Sequence, residues 1–198
     1  MTDVPLSNPA AATIPGAAAA APTNGSARLW LYLVRGLVAL AWAAAFSAVA
    51  DSLTAGVATL LVAYPVIDVI ASLIDAHAGG GAPTQRLQRF NAATSTAAAI
   101  GLAIAATGTV ADVLHVFAAW AIVSGVAQVV VALRSRTRAT GSLWPMLVAG
   151  GLSTLVGVFY YLSDPTLDNL VIYATGGGVW FVLQAGLLGR HRRTLLDD

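Results

Sequence analysis

Six stretches of the chain, residues 29–50, 54–76, 91–107, 113–133, 144–162 and 170–189, are predominantly apolar and about 20 residues long. A helix of about 20 apolar residues crosses the roughly 30 Å hydrocarbon core of a bilayer. Helices of a soluble bundle would each carry a polar face, and most of these stretches have none. Composition agrees. Of 198 residues 58% are apolar and 10% charged, against about a quarter charged in an ordinary soluble domain. The third stretch, containing "AATSTAAAIGLAIAATG", is only weakly hydrophobic. It serves as a span if it packs against protein, where small residues let backbones approach. The expectation is an all-α polytopic membrane protein of six transmembrane helices.

Charge on the connectors orients the spans. All ten basic residues are arginine and all nine acidic ones aspartate. Arg28 precedes the first stretch. Arg86 and Arg89 follow the second, Arg134, Arg136 and Arg138 the fourth, and Arg190, Arg192 and Arg193 the sixth. The alternate connectors hold only Asp51, Asp112, Asp164 and Asp168. Basic residues stay on the cytoplasmic side, so both termini are expected in the cytoplasm of a multi-pass plasma-membrane protein. An odd number of spans would break the alternation.

The tails divide the chain further. Residues 1–27 are rich in Ala and Pro without a periodic apolar face, and they lack the basic start and compact apolar centre of a secretory signal. A disordered cytoplasmic tail is expected there, then a six-helix transmembrane domain over 28–189 and a cytoplasmic tail over 190–198. Without cysteine, disulfides, thiolate metal sites and thiol catalysis are excluded. His77, His115 and His191 fall on different connectors or ends and form no ligand set. A near-zero net charge gives no nucleic-acid footprint. The run "TGGGV" at 175–179 lies inside a span and lacks the Lys-Ser/Thr of a phosphate-binding loop; close helix packing accounts for it. No catalytic constellation, cofactor site or metal site is expected, and the chain is not expected to be an enzyme.

Short acidic connectors and longer basic ones make three helical hairpins, and the hairpins are related. Their second helices carry Tyr64, Asp68 and Ser72; Trp120, Ser124 and Gln128; and Tyr173, Gly177 and Phe181. Each triplet has i, i+4, i+8 spacing and lies along one helix face. The middle residue recurs at an interval suited to one hairpin per repeat, which predicts an approximate threefold arrangement.

Asp68 lies where a hydrocarbon-facing helix should carry no charge. It is seven residues from Asp75 at the cytoplasmic end of its stretch, and Arg35 is seven residues from Arg28 at the cytoplasmic end of the first. At 1.5 Å per residue both lie roughly 10 Å below one boundary. Each charge alone would cost about 2.5–3.5 kcal/mol at a helix centre, so an Arg35–Asp68 ion pair between consecutive antiparallel helices is expected. Two alternatives stay open: Arg35 snorkelling to the headgroups beside a neutral Asp68, and a proton or ion site at Asp68. Pro65 should bend the helix just beyond Asp68. Ser72, Ser124, Gln128 and Gln184 either bond between helices or line a polar path with Asp68.

The segments "YLVRGLVALAWAAAF", "VIDVIASLI", "AAWAIVSGVAQVVVALRSR", "WPMLVAGGLSTLVGVFYYL" and "YATGGGVWFVLQAGLLGRHRR" carry a resemblance over residues 28–193. Together they resemble the HdeD-like family of bacterial membrane proteins, built from a short repeated domain of unknown function and including an acid-resistance membrane protein. Arg35 with Gly36, Ser124 with Gly125, Gly177 with Gly178, and Trp144 with Pro145 carry the likeness. Asp68 fits, but Val69 stands where glycine is usual. The resemblance implies a six-span inner-membrane protein with a role in envelope or acid-stress tolerance, and no reaction, substrate, cofactor or small-molecule ligand. Two alternatives accompany it: a small-solute or proton pathway, and a membrane scaffold or interaction subunit. The lipid bilayer is the expected partner, and the Ala- and Gly-rich helices leave a homo-oligomer open.

Overall fold

The structure, a computed structural model, describes residues 25–77, 82–135 and 144–197, with side chains described over 29–77, 82–134 and 144–190. It is all-helical, with no strand among the described residues. Six helices follow in order: α1 (Gly25–Ser47), α2 (Ala55–His77), α3 (Ala82–Ala105), α4 (Val110–Ser135), α5 (Trp144–Leu162) and α6 (Asp168–Asp197). Five are long and apolar enough to cross a membrane, all but α3. The tail expected over 1–27 lies, up to residue 24, outside the described residues. The tail expected over 190–198 is helical as far as Asp197, because α6 continues through it.

Local chemistry starts the helices. At α2, Val57 N–H donates to Thr54 Oγ1 at 3.3 Å, an N-cap bond. At α4, Thr109 N–H donates to Asp112 Oδ2 at 2.8 Å and Asp112 N–H donates to Thr109 Oγ1 at 3.2 Å, a reciprocal capping box. Asp112 thus caps a helix as well as marking the acidic side. α3 begins nine residues before the stretch expected at 91. Pro83 sits in its first turn, where a missing N–H costs nothing, and so Arg86 and Arg89 lie on helix rather than in a loop. α2 runs through Pro65 as α-helix to His77. One turn earlier, Trp42 Nε1 reaches across from α1 to donate to Leu60 O at 2.7 Å.

The six helices close into a ring, each packing on its neighbours in sequence and α6 on α1. α1 and α2, consecutive and antiparallel, are neighbours as expected, but the closest pairs join different hairpins: α2 on α3, α4 on α5, and α6 on α1. Within hairpins, α1 with α2 and α5 with α6 touch only sparsely. Glycines explain two of the closest pairs, α6 on α1 and α4 on α5. A Cβ on Gly36 would stand 2.8 Å from Gly178 O, and one on Gly178 would stand 3.0 Å from Gly36 O. Likewise a Cβ on Gly125 would meet Gly150 O at 2.5 Å, and one on Gly150 would meet Gly125 O at 2.6 Å. Backbones approach where no side chain intervenes. Tight and looser seams alternate around the ring, with the α3–α4 seam intermediate.

Nearest the acidic connectors, every helix contributes to a packed core that includes Phe46, Leu61, Leu102, Phe117, Tyr160 and Leu170. Outward, all six helices expose large apolar side chains, such as Leu37, Ile70, Ile104, Val130, Phe159 and Leu183. A soluble monomer rarely shows so continuous an apolar surface; a hydrocarbon surround accounts for it.

Candidate functional site

Below the packed core the ring does not fill. A cavity of about 410 Å³ lies there, and all six helices contribute to its wall. Its polar centre starts from Asp68 on α2. Arg35 Nη2 on α1 donates to Asp68 Oδ1 at 2.6 Å, and the Phe181 ring on α6 lies 4.9 Å from the guanidinium carbon, a cation–π distance. Ser95 Oγ on α3 donates to Asp68 Oδ2 at 2.7 Å. Trp120 Nε1 on α4 donates in turn to Ser95 Oγ at 3.0 Å. One connected network therefore ties α1, α2, α3, α4 and α6 together, with both carboxylate oxygens occupied. Arg35 and Asp68 are the only charged residues on the cavity wall among the described residues.

A second polar link closes the other side. Ser153 Oγ on α5 donates to Ala121 O on α4 at 3.0 Å and lies 2.7 Å from Tyr173 Oη on α6. Aromatic rings separate the cavity from the packed core above. Tyr64 packs on Trp42 with centroids 4.5 Å apart, and Phe117 meets Tyr173 edge-on at 4.9 Å.

Four residues on the wall hold a buried polar atom with no hydrogen-bond partner among the described residues: Asn91 Oδ1, Ser124 Oγ, Tyr160 Oη and Trp180 Nε1. Asn91, Ser124 and Tyr160 are 7%, 8% and 3% exposed. Buried polar groups almost always find a partner, and each orphan costs about 1–3 kcal/mol. All four atoms are sealed off as the side chains stand, so a water or ligand in the cavity would satisfy them once the side chains turn toward it.

The residues expected to form a polar path part company here. Asp68, Ser124 and Gln128 line the cavity, and so does Gly177, the third repeat position. Ser72 and Gln184 do not. Ser72 is fully buried off the cavity wall. The triple glycine also divides. Gly178 packs on α1, whereas a Cβ on Gly176 would meet nothing within 4 Å and Gly176 and Gly177 widen the cavity instead. Sequence reasoning missed Ser95 and Asn91. Both lie on the weakly hydrophobic α3, and that weakness is the signal: a helix lending polar groups to an interior reads as a poor span.

Fold and site together define a multi-helix membrane-type protein with a polar cavity inside a closed ring. Residues 90–162, covering most of α3, all of α4 and all of α5, match the family described as a short repeat of unknown function, DUF308. Neither curated proteins nor solved structures include a match to the chain.

Proposed function

We propose that the chain is a non-catalytic, multi-pass protein of the plasma membrane, with both termini cytoplasmic, whose working element is the cavity. The cavity holds a small molecule in the inner half of the bundle rather than passing one through. The envelope or acid-stress role implied by the HdeD-like resemblance would be exercised through that binding. In this reading α3 spans with the other five, its polar residues turned inward. The observation that carries it is the set of four orphaned polar groups, Asn91, Ser124, Tyr160 and Trp180, around one cavity. Its volume lies within the roughly 300–1,000 Å³ of small-ligand sites. The packed aromatic end argues against a through pathway. The arginine distribution supports the orientation.

The test is mass spectrometry of the protein extracted from its own membrane in polymer discs. Wild type should retain about one small molecule per chain, and Gly176→Phe, which sets a ring on the cavity wall beside the seam, should retain none. Gly186→Phe, a position with nothing within 4 Å and outside the cavity wall, should behave as wild type. Equal occupancy in wild type and Gly176→Phe, or none in either, would overturn the reading.

A further inference from the structure

The cavity is not sealed on all sides. α5 and α6 touch only sparsely, and the wall along that seam is also outer surface. Leu152, Ile172 and Leu183 line the cavity yet are each more than half exposed. A second hollow of about 370 Å³ lies on the same seam and shares Val156, Tyr160 and Ile172 with the first. Both helices are of membrane-crossing length and apolarity. What stands outside the seam is therefore bilayer hydrocarbon, and the cavity opens sideways into it.

Polarity runs across the cavity. Its far wall, on α1 to α4, holds the Arg35–Asp68 pair, Asn91, Ser124 and Gln128. The exposed wall residues of the seam, Leu152, Ile172, Val179 and Leu183, are apolar, while Ser153, Tyr160, Tyr173 and Trp180 on the same two helices bring further polar atoms to the wall. Along α5 the wall runs from Ala149 to Tyr160, about 16 Å at the rise of an α-helix. This is a slot with a polar end and an apolar mouth. Arg35 and Asp68 neutralise each other, so an anionic or cationic head would be left as an uncompensated buried charge. An uncharged head with hydroxyl groups would satisfy Ser124, Asn91 and Trp180 without that penalty.

Resting on the reading of the cavity as a binding site, we infer that it takes a single-chain amphiphile with an uncharged, hydroxyl-bearing head. The molecule comes from the bilayer through the α5–α6 seam, head first toward Ser124. Gly176 belongs to this device, since the missing side chain keeps the slot open beside the seam.

The inference is tested with a monoacylglycerol carrying a photoreactive group in its chain, added to the full-length protein in phospholipid nanodiscs. Cross-links located by peptide mass spectrometry should fall on cavity-facing residues of the seam, with Val156 and Ile172 foremost. Labelling there should drop at least fivefold in Gly176→Phe and stay unchanged in Gly186→Phe, with both variants melting near wild type. Ser124→Ala, which leaves the mouth open, should raise the probe concentration for half-maximal labelling about fivefold. Free glycerol should not compete. Labelling equally strong in Gly176→Phe would mean surface lipid only and would overturn the inference. So would competition by glycerol, which would mark a water-soluble occupant and leave the broader binding reading standing. Absence of labelling beside a retained molecule in the disc experiment would sink the amphiphile alone; absence of both would sink the two together.

Discussion

Arg35 donates to Asp68 across 2.6 Å, joining two helices whose backbones approach closely at few places. The bond crosses a loose seam where side chains, not close backbones, hold the ring together. Removing one partner strands the other in a low-dielectric setting, which is usually worse than removing both. Asp68→Ala and Arg35→Ala should each lower the melting temperature in detergent. The double variant should regain much of the loss, with a coupling above about 0.5 kcal/mol. Additive losses would contradict the pairing as a stabilising element.

Two adjacent glycines offer a sharper contrast. A Cβ on Gly150 would stand 2.6 Å from Gly125 O, while one on Gly151 would meet nothing within 4 Å. Alanine is otherwise the better helix residue by about 0.5–1 kcal/mol. Gly151→Ala should therefore hold or raise the melting temperature, and Gly150→Ala should lower it by forcing α4 and α5 apart. Equal effects at the two positions would show that the α4–α5 contact is not set by backbone approach.

Much of this was legible in the sequence. Span length and apolarity define the helices, and the seven-residue offsets of Arg35 and Asp68 place two charges at one depth. The i+4 rows locate Asp68, Ser124 and Gly177, which line one cavity. What escaped is tertiary. Nothing local says that α2 prefers α3 to its own hairpin partner, since the bonds that join them, Ser95 to Asp68 and Gln88 to Asp75, link residues far apart in the chain. Ser72 went wrong for the same reason, because i+4 spacing names a face but not the neighbour behind it. Ser95 was hidden by the very polarity that made its helix look a poor span.

Orientation is tested through the absence of cysteine. Single cysteines at Ser52 and Thr166, on the connectors carrying Asp51 and Asp164, should react with an impermeant thiol reagent on intact cells. Cysteines at Gly80, Arg136 and Arg192 should be shielded until the cells are permeabilised. Labelling at Arg136 on intact cells would reverse the topology.

The central claim is that the ring holds a dead-end pocket walled by a fixed ion pair, not a conduit that Asp68 operates. Proton flux into proteoliposomes tests it most directly, with wild type and Asp68→Asn compared at pH 5 and pH 7. Both carboxylate oxygens are engaged, by Arg35 and by Ser95, and a packed core closes the acidic-connector end. The account predicts no flux above protein-free vesicles from either protein at either pH. A wild-type flux that rises at pH 5 and vanishes in Asp68→Asn would contradict it.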